Sequence, residues 1–393
     1  SASSWTWPST ASILTGASTV RHGLQDPEHC FLADEFLTLP EAFQLQGVTT
    51  AGFSCNPMVS AGKNFDQGFE TWEEYSWTLT RNMLPDVAAW LAEHADDQFF
   101  LYLQLIDPHT PYRPSARHRA GFRTEREQLK KAELLRFVEH RVRGETYPAP
   151  RLKAEVERMQ RLYRASVASV DDDIAALLAL LEEHGIADET VVAVTSDHGE
   201  EFLEHDMLGH ANQLYDESVR VPLILVGPSV PSGVRETHPV ENRALPATLM
   251  ALAGLEVPRE LAAPMLTNSR ALERSKDEPI FFAVHNGSWP DRSAAELASV
   301  PRLFAVQQGS LRLLWAPARG AESKERLALF DLERDADARN DLAPDRPADV
   351  QRLRSAIEVW RVRELARRPT LLPGGAAAAA GLRALGYGGS QDD

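Results

Sequence analysis

The chain has 393 residues, of which 43% are hydrophobic, enough for one large core or for a large domain beside a small one. Acidic residues outnumber Lys and Arg by 57 to 41, and the net charge of −16 argues against a protein that binds nucleic acid through its phosphates. No apolar run reaches the length that a membrane span requires. Cys30 and Cys55 are too few for a disulfide scaffold or a zinc site built from cysteines.

Helical and strand patterns alternate over the first 254 residues. The segment 4–16 predicts a loop that enters a short helix, with Pro8 in the first turn and Gly16 at the end. Further helices are predicted at residues 38–47, 82–94, 152–184 and 245–252, and strands at 48–53, 99–105, 191–195 and 221–226. The β-branched run at 191–195 is typical of a buried parallel strand. This alternation predicts an α/β fold with a doubly wound, mostly parallel sheet flanked by helices.

The pattern changes after about residue 275. Polar turns join short apolar segments there, which predicts a smaller antiparallel sheet with strands at 279–284, 303–307, 311–315 and 327–332. An amphipathic helix is predicted to close this part at residues 349–366. The predicted organisation is therefore an α/β domain at 1–265, a C-terminal antiparallel subdomain at 275–366 and a low-complexity tail at 367–393.

Two pairs of chemically capable side chains come directly after predicted strands. Asp197 and His198 follow one strand, and Asp107 and His109 follow another. Because ligands of open α/β sheets bind outside the carboxyl ends of the strands, both pairs are candidates for one site. Asp and His together are also good ligands for a divalent cation. For Asp107 two alternatives stand: a turn or N-cap residue, or part of a second metal or substrate site.

Two further positions extend the candidate site. Thr6 lies just before the predicted helix N-terminus, where free N–H groups and the helix dipole favour negative charge, although the simpler explanation of a threonine there is an N-cap. His210 follows His198 by twelve residues. The charged loop between these two histidines is expected to be exposed, and it contains Glu200, Glu201, Glu204 and His205.

Five motifs in this order resemble the sulfatase family of the alkaline phosphatase superfamily along nearly the whole chain. They are T-W-P-S-x-x-S-I-L-T-G at 6–16, F-F-L-Y-x-Q-L-x-D-P-H-T-P-Y at 99–112, S-D-H-G-E at 196–200, G-H-x-x-x-L-Y-D-E-x-V-R-V-P-L-I at 209–224 and L-F-D-L-E-R-D-x-x-x-x-N-D-L at 329–342. The segment 382–387 also resembles a C-terminal ending that is common in this group.

The resemblance implies roles for the candidate residues. Thr6 occupies the nucleophile position of the family's C/S-x-P-S-R motif, and since threonine cannot become the formylglycine of type I sulfatases, the branch of phosphodiesterases and phosphonate hydrolases is favoured. Asp197 and His198 match metal ligands, which implies a divalent ion such as Mn²⁺, Zn²⁺, Mg²⁺ or Ca²⁺. His109 and His210 match histidines that contact the substrate.

Cationic groups of the family motifs are replaced in this chain. An arginine and two lysines of those motifs fall on Thr10, Ser54 and Ala211, and a histidine falls on Asn56. A sulfate dianion needs positive charge around it, so these replacements weaken the arylsulfatase alternative. Thr10 and Asn56 remain only as weak substrate-binding candidates.

The implied function is a metal-dependent hydrolase that cleaves phosphate, phosphonate or sulfate esters of a small molecule, a glycan or a lipid through Thr6. The alternatives are a sulfatase without formylglycine and a catalytically inactive binding homologue. Just after the nucleophile helix, Arg21 and His22 either supply some of the missing positive charge or have a surface role.

The resemblance also implies that a segment is missing. Members of the family begin with an apolar strand that ends in one or two metal-binding aspartates, a few dozen residues before the nucleophile. Residues 1–5 do not match that strand. We therefore expect a chain that lacks its first strand and one metal ligand and that is poorly soluble and inactive by itself.

Overall fold

The computed structural model describes residues 1–24, 31–122, 149–263, 266, 278–285, 302–318 and 324–369. Its helices are α1 (Thr6–Thr15), α2 (Thr19–His22), α3 (Leu39–Gln44), α4 (Thr80–His94), α5 (Ala116–Gly121), α6 (Ala149–Glu183), α7 (Asp216–Val219), α8 (Leu245–Leu252) and α9 (Pro347–Ala366). The strands are β1 (Thr49–Ser54), β2 (Thr71–Glu74), β3 (Phe99–Gln104), β4 (Val192–Thr195), β5 (Glu201–Phe202), β6 (Leu208–Gly209), β7 (Leu223–Val226), β8 (Ile280–His285), β9 (Arg302–Gln308), β10 (Leu311–Ala316) and β11 (Arg326–Asp331). Among the described helices, none combines the length and the apolarity needed to cross a bilayer.

A parallel sheet with the strand order β2-β1-β3 carries apolar side chains on both faces. Side chains alternate along a strand, so Leu101 and Leu103 of β3 face one apolar cluster and Phe100 faces another. The first cluster is completed by α4 and α6, and the second by α3 and α8. The predicted α/β class, with helices on both faces of a parallel sheet, is therefore confirmed.

The strand after α6 has a different pairing from the one expected. The sequence predicted β4 to be a buried parallel strand, but β4 pairs antiparallel with β7, with Val192 opposite Val226, and β4 is only half-buried. The connection between the two strands contains short elements and the site loop, without the long crossover helix that would return the chain to the same end of the sheet. Among the described strands, β3 pairs only with β1 and β4 only with β7.

The C-terminal part is an antiparallel sheet with the order β11-β10-β9-β8, as predicted. Helix α9 packs on one face through Ile357 and Trp360. On β8, Phe282 and Val284 instead join the apolar cluster around α1, which contains Trp7. The sheet therefore supports the helix that carries Thr6. Of the predicted tail, residues 370–393 lie outside the described residues, and so does the motif at 382–387.

A capping box starts α3 where the sequence predicted a capped helix. The Thr38 side chain accepts the N–H of Glu41, and the Glu41 carboxylate accepts the N–H of Thr38 at 2.8 Å. Both otherwise unpaired donors of the first turn are thereby satisfied. The helix ends before Gly47, whose φ of 81° is unstrained because glycine has no Cβ.

We expect Thr38→Ala to lower the free energy of unfolding by about 1 kcal/mol, since it removes the cap while leaving the helix sequence intact. Chemical denaturation monitored by circular dichroism measures this difference. Gln44→Ala, at an exposed position near the end of the same helix, is the matched control and should change stability by less than about 0.5 kcal/mol. Equal losses for both variants would show that the capping box contributes nothing.

Candidate active site

Thr6 is the first residue of α1 and is buried. The N-cap residue, Trp5, has an extended backbone and makes no side-chain cap hydrogen bond. Thr6 was predicted just before the helix and is found one position inside it. The first-turn N–H groups of α1, together with the helix dipole, therefore lie beside the Thr6 hydroxyl and favour negative charge there.

His198 faces this hydroxyl. Its Nε2 lies 3.4 Å from Thr6 Oγ1, and its Nδ1–H donates to the carbonyl oxygen of Gly199 at 2.7 Å. That second bond fixes the tautomer and leaves a lone pair on Nε2 directed at the hydroxyl. Asp197 Oδ2 lies 3.6 Å from the same nitrogen. The S-D-H-G-E motif thus brings an imidazole and a carboxylate close to the Thr6 hydroxyl.

Gly199 allows the loop to turn at this place. Its N–H donates to the carbonyl of Ser218 at 2.8 Å, and a Cβ at this position would lie 2.0 Å from the carbonyl oxygen of Glu217. No other residue fits so close an approach of two backbones. The position of the His198 ring therefore depends on the glycine of the S-D-H-G-E motif.

Three histidine rings form a row that starts at Thr6. The ring centroids of His198 and His210 are 4.3 Å apart, and those of His210 and His109 are 5.2 Å apart. Burial lowers the pKa of His210 to about 4, and burial followed by the charge of His210 lowers the pKa of His109 to about 4. Both imidazoles are therefore neutral at neutral pH, and they can donate or accept a hydrogen bond.

The loop between the histidines is not the exposed charge that the sequence predicted. Glu200 is buried, its Oε2 lies 3.4 Å from His210 Nδ1, and burial raises its pKa to about 7. Glu201 is also buried, accepts the Ser218 hydroxyl at 2.6 Å, and has a pKa raised to about 8 by burial. Periodicity could not detect this burial, because the hairpin β5–β6 is too short to show an alternating pattern.

The other two residues of that loop are also engaged. Glu204 is half-buried and accepts the backbone N–H of Phe202. His205 stacks on Tyr215 with ring centroids 3.6 Å apart, and it contacts Glu217 Oε1 at 2.5 Å. The prediction of exposed charge is therefore wrong for the whole set.

Asp107 serves the start of α4. Its Oδ2 accepts both the backbone N–H of Thr80, at 2.8 Å, and the Thr80 hydroxyl. Thr80 is the first residue of α4, so the buried carboxylate satisfies a helix donor that has no intrahelical partner. The sequence left open a local turn or N-cap role and a second metal or substrate site, and these contacts show instead a structural role for Asp107 at a helix far away in the chain.

The weak substrate-binding candidates are buried beside the site. Thr10 lies one helical turn after Thr6 on the same face of α1. Tyr102 of β3 faces Thr10 and Asp197, and its pKa is raised by burial and by the Asp197 charge. Asn56 uses its Oδ1 to accept the N–H of Met58 at 2.9 Å, which shapes the turn after β1.

Lys63 supplies a cation that the sequence analysis did not find. It is buried, and its Nζ lies 4.6 Å from the ring centre of Trp7, the residue after Thr6. The Trp7 indole N–H in turn donates to the carbonyl of Met58 at 2.6 Å. No local motif marks Lys63, because the contact joins segments that are far apart in the chain.

His22 is not a source of positive charge. It is buried, its Nε2 contacts the Pro8 carbonyl at 3.2 Å and the Ser12 hydroxyl at 3.1 Å, and its Nδ1 accepts the N–H of Leu24. Burial lowers its pKa to about 3, and the positive charge of Arg368 acts in the same direction. The neutral ring therefore braces α1, and both alternatives considered for His22 are wrong.

The fold and the site together define an α/β protein with a hydroxyl, imidazole and carboxylate centre at a helix N-terminus. The family profile described as Sulfatase matches residues 1–255. The chain belongs to the sulfatase family.

Relatives and solved structures agree with this assignment. Arylsulfatase K from Bos taurus is 27% identical over 216 residues, covering 50% of this chain and 40% of the relative. The multifunctional alkaline phosphatase superfamily protein PehA from Trinickia caryophylli is 29% identical over 182 residues, covering 41% and 35%. The matches thus span less than half the length of these curated relatives.

Two solved structures share the fold. BT4656, in complex with its substrate D-glucosamine-2-N,6-O-disulfate, has a TM-score of 0.72 at 19% identity, with coverage of 94% of this chain and 90% of that one. The phosphonate monoester hydrolase SpPMH from Silicibacter pomeroyi has a TM-score of 0.69 at 18% identity, with coverage of 91% and 86%. At this identity the similarity establishes the fold.

The depressed pKa of His22 predicts a loss of stability in acid. Its folded-state pKa of about 3 lies below the ordinary 6.5, so the unfolded chain binds the proton at higher pH than the folded protein does. The free energy of unfolding should therefore fall as the pH drops from about 6.5 toward 3, by up to about 1.4 kcal/mol per pH unit from this group.

Urea denaturation at a series of pH values measures this slope. His22→Gln should reduce the slope of the free energy of unfolding against pH by the amount that corresponds to about one bound proton. His238→Gln, at an exposed position, is the control for removing a histidine. An unchanged slope in His22→Gln would mean that the His22 ring is not held neutral by the fold.

Proposed function

We propose that this chain hydrolyses sulfate or phosphorus esters with the help of a divalent metal ion and with Thr6 as its nucleophile. The observation that carries this proposal is the 3.4 Å approach of Thr6 Oγ1 to His198 Nε2, at the N-terminus of α1. The names of the relatives and of the structural neighbours include arylsulfatases and a phosphonate monoester hydrolase, which supports both ester classes.

Sulfatase-family enzymes generally use a divalent metal ion. In the described part of the chain, no group of three or more His, Cys, Asp or Glu side chains has an arrangement suited to a metal. Three neighbouring atoms fit the role of metal donors. His198 Nε2 has a free lone pair, because the proton of the ring is on Nδ1 and is donated to the Gly199 carbonyl, and Asp197 Oδ2 and Thr6 Oγ1 lie beside it. We assign the ion to these three atoms. When bound, it would lower the pKa of the hydroxyl and polarise the ester oxygens.

The residues of the chain would then act in sequence. Thr6 Oγ1 attacks the sulfur or phosphorus atom and loses its hydroxyl proton, the bond to the ester oxygen breaks, and that proton ends on the leaving oxygen, which departs as the alcohol. The N–H groups at the start of α1 favour the charge on the attacking oxygen. His109 and His210, both neutral, hydrogen-bond to the non-bridging oxygens or to the leaving oxygen, and Glu200 orients His210. Water hydrolyses the Thr6 ester and releases the acid.

We expect phosphorus esters to be better substrates than aryl sulfates. Thr6 cannot form the formylglycine hydrate, and Thr10 and Ala211 stand where the family motifs have cations. Lys63, whose ammonium lies over the Trp7 ring, supplies one positive charge close to the helix that carries Thr6. The second candidate, a sulfatase that uses an unmodified threonine, is favoured by the names of the arylsulfatase relatives.

The metal assignment predicts that Asp197→Ala removes the ion, because only His198 and the hydroxyl remain as donors. Elemental analysis of dialysed protein, followed by Mn²⁺ titration calorimetry, measures this loss without reference to activity. Asp172→Ala is the matched control, since Asp172 is exposed on α6 and pairs with His118. Equal metal content in the wild type and Asp197→Ala would remove Asp197 from the site.

The nucleophile assignment is tested with the 4-nitrophenyl esters of sulfate, phosphate, phenylphosphonate and a phosphodiester. We expect the largest kcat/KM on a phosphonate or diester, a loss of at least about 1,000-fold in kcat for Thr6→Ala, and partial activity for Thr6→Ser. Thr71→Ala on β2 is the control. A higher kcat/KM on the aryl sulfate than on every phosphorus ester would reverse the ranking. If Thr6→Ala turns over substrate as fast as the wild type does, Thr6 is not the nucleophile. If the wild-type protein binds no metal and hydrolyses none of these esters, the inactive binding homologue is supported instead.

A further inference from the structure

Trp77 occupies a strained backbone position beside the row of histidines. Its φ is 56°, in the left-handed region that a bulky side chain rarely adopts. The ring is half-buried, and its centroid lies 5.1 Å from that of His109 in an edge-to-face arrangement. Such a conformation is costly and persists only where the surroundings enforce it.

Hydrogen bonds to two neighbouring segments enforce it here, the turn after β1 and the loop that carries His109. The N–H of Trp77 donates to the carbonyl of Cys55 at 3.1 Å, and the carbonyl of Trp77 accepts from Arg113 Nη2 at 2.6 Å. Three residues later, Thr80 is held by Asp107. Arg113 and Asp107 flank His109 in the chain, so the loop that carries Trp77 and the loop that carries His109 are joined on both sides. The indole and the imidazole are therefore positioned as one unit.

The indole ends the row that begins at the nucleophile. Successive ring centroids are separated by 4.3 Å from His198 to His210, by 5.2 Å from His210 to His109 and by 5.1 Å from His109 to Trp77. The two central histidines contact the transferred group or the leaving oxygen in the proposed mechanism. The group attached to that oxygen would therefore lie next to Trp77. Trp77 also packs against the apolar cluster that contains Met83 and is only partly buried by it.

We propose that Trp77 is a specificity-determining residue that stacks on a ring carried by the alcohol part of the ester. This inference rests on the proposed function, because it uses the orientation of the ester that Thr6 and the histidines define. A flat aryl ring and the apolar face of a pyranose offer the same chemistry to an indole. A rigid aromatic platform pays little conformational entropy on binding, which suits it to this role.

The test measures binding in a Thr6→Ala background, where no turnover is needed. Isothermal titration with phenyl, glucose-6 and methyl esters, each as phosphate and as sulfate, separates the ring from the charged head group. We expect Trp77→Leu to weaken the ring-bearing esters about tenfold while the methyl esters are unchanged. Trp77→Phe should retain most of the affinity, and Trp72→Leu on β2 is the matched tryptophan control.

Each outcome decides the inference. A loss confined to the phenyl esters identifies an aryl alcohol, and a loss confined to the glucose esters identifies a sugar. Equal weakening of methyl and ring-bearing esters would mean that Trp77 only supports His109, and unchanged affinity for all esters would exclude stacking; both results overturn the inference. If Trp77→Leu does not fold, Trp77→Asn takes its place, because asparagine tolerates the left-handed backbone of this position, and it should show the same selective loss. Because binding is measured without turnover, failure of the nucleophile assignment leaves this result readable.

Discussion

The site depends on burial of its ionisable groups. Removal from water keeps His109 and His210 neutral and raises the pKa of Glu200, so the row of rings carries little charge although it contains several titratable side chains. In such surroundings an added anionic ester meets few competing charges, and each dipole that faces it has a large effect. The N-terminus of α1 is then a strong local source of positive potential beside the Thr6 hydroxyl.

The antiparallel sheet and the loop that carries His210 both hold α1 in place. The antiparallel sheet packs under the helix through Phe282 and Val284, while the backbone N–H of Ala211 donates to the carbonyl of Ser4 at 2.8 Å. That bond ties the segment before Thr6 to the loop that carries His210. A buried His22 braces the same helix from within. The C-terminal part of the chain is therefore a structural support of the site.

Membership of the sulfatase family explains the order of the motifs, and the departures from the family motifs identify what is particular to this chain. A threonine at the nucleophile position, a cation–π pair of Lys63 with Trp7, and a strained Trp77 beside His109 are features of these residues and their contacts. In the proposed function they would bear on which ester is cleaved and which alcohol is released. The α/β fold itself is shared with the solved structures of BT4656 and of a phosphonate monoester hydrolase.

The sequence determined the elements with strong periodicity and the residues at strand ends. The long helix α6, the antiparallel sheet and the placement of His198 follow from patterns within one segment, because side-chain alternation and helix caps are local properties. Only the tertiary structure decided the antiparallel pairing of β4, the burial of Glu200, and the use of Asp107 at the start of α4. Each of these depends on contacts between segments far apart in the chain. Such contacts do not produce a periodic pattern in the sequence of either segment, so the sequence could not predict them.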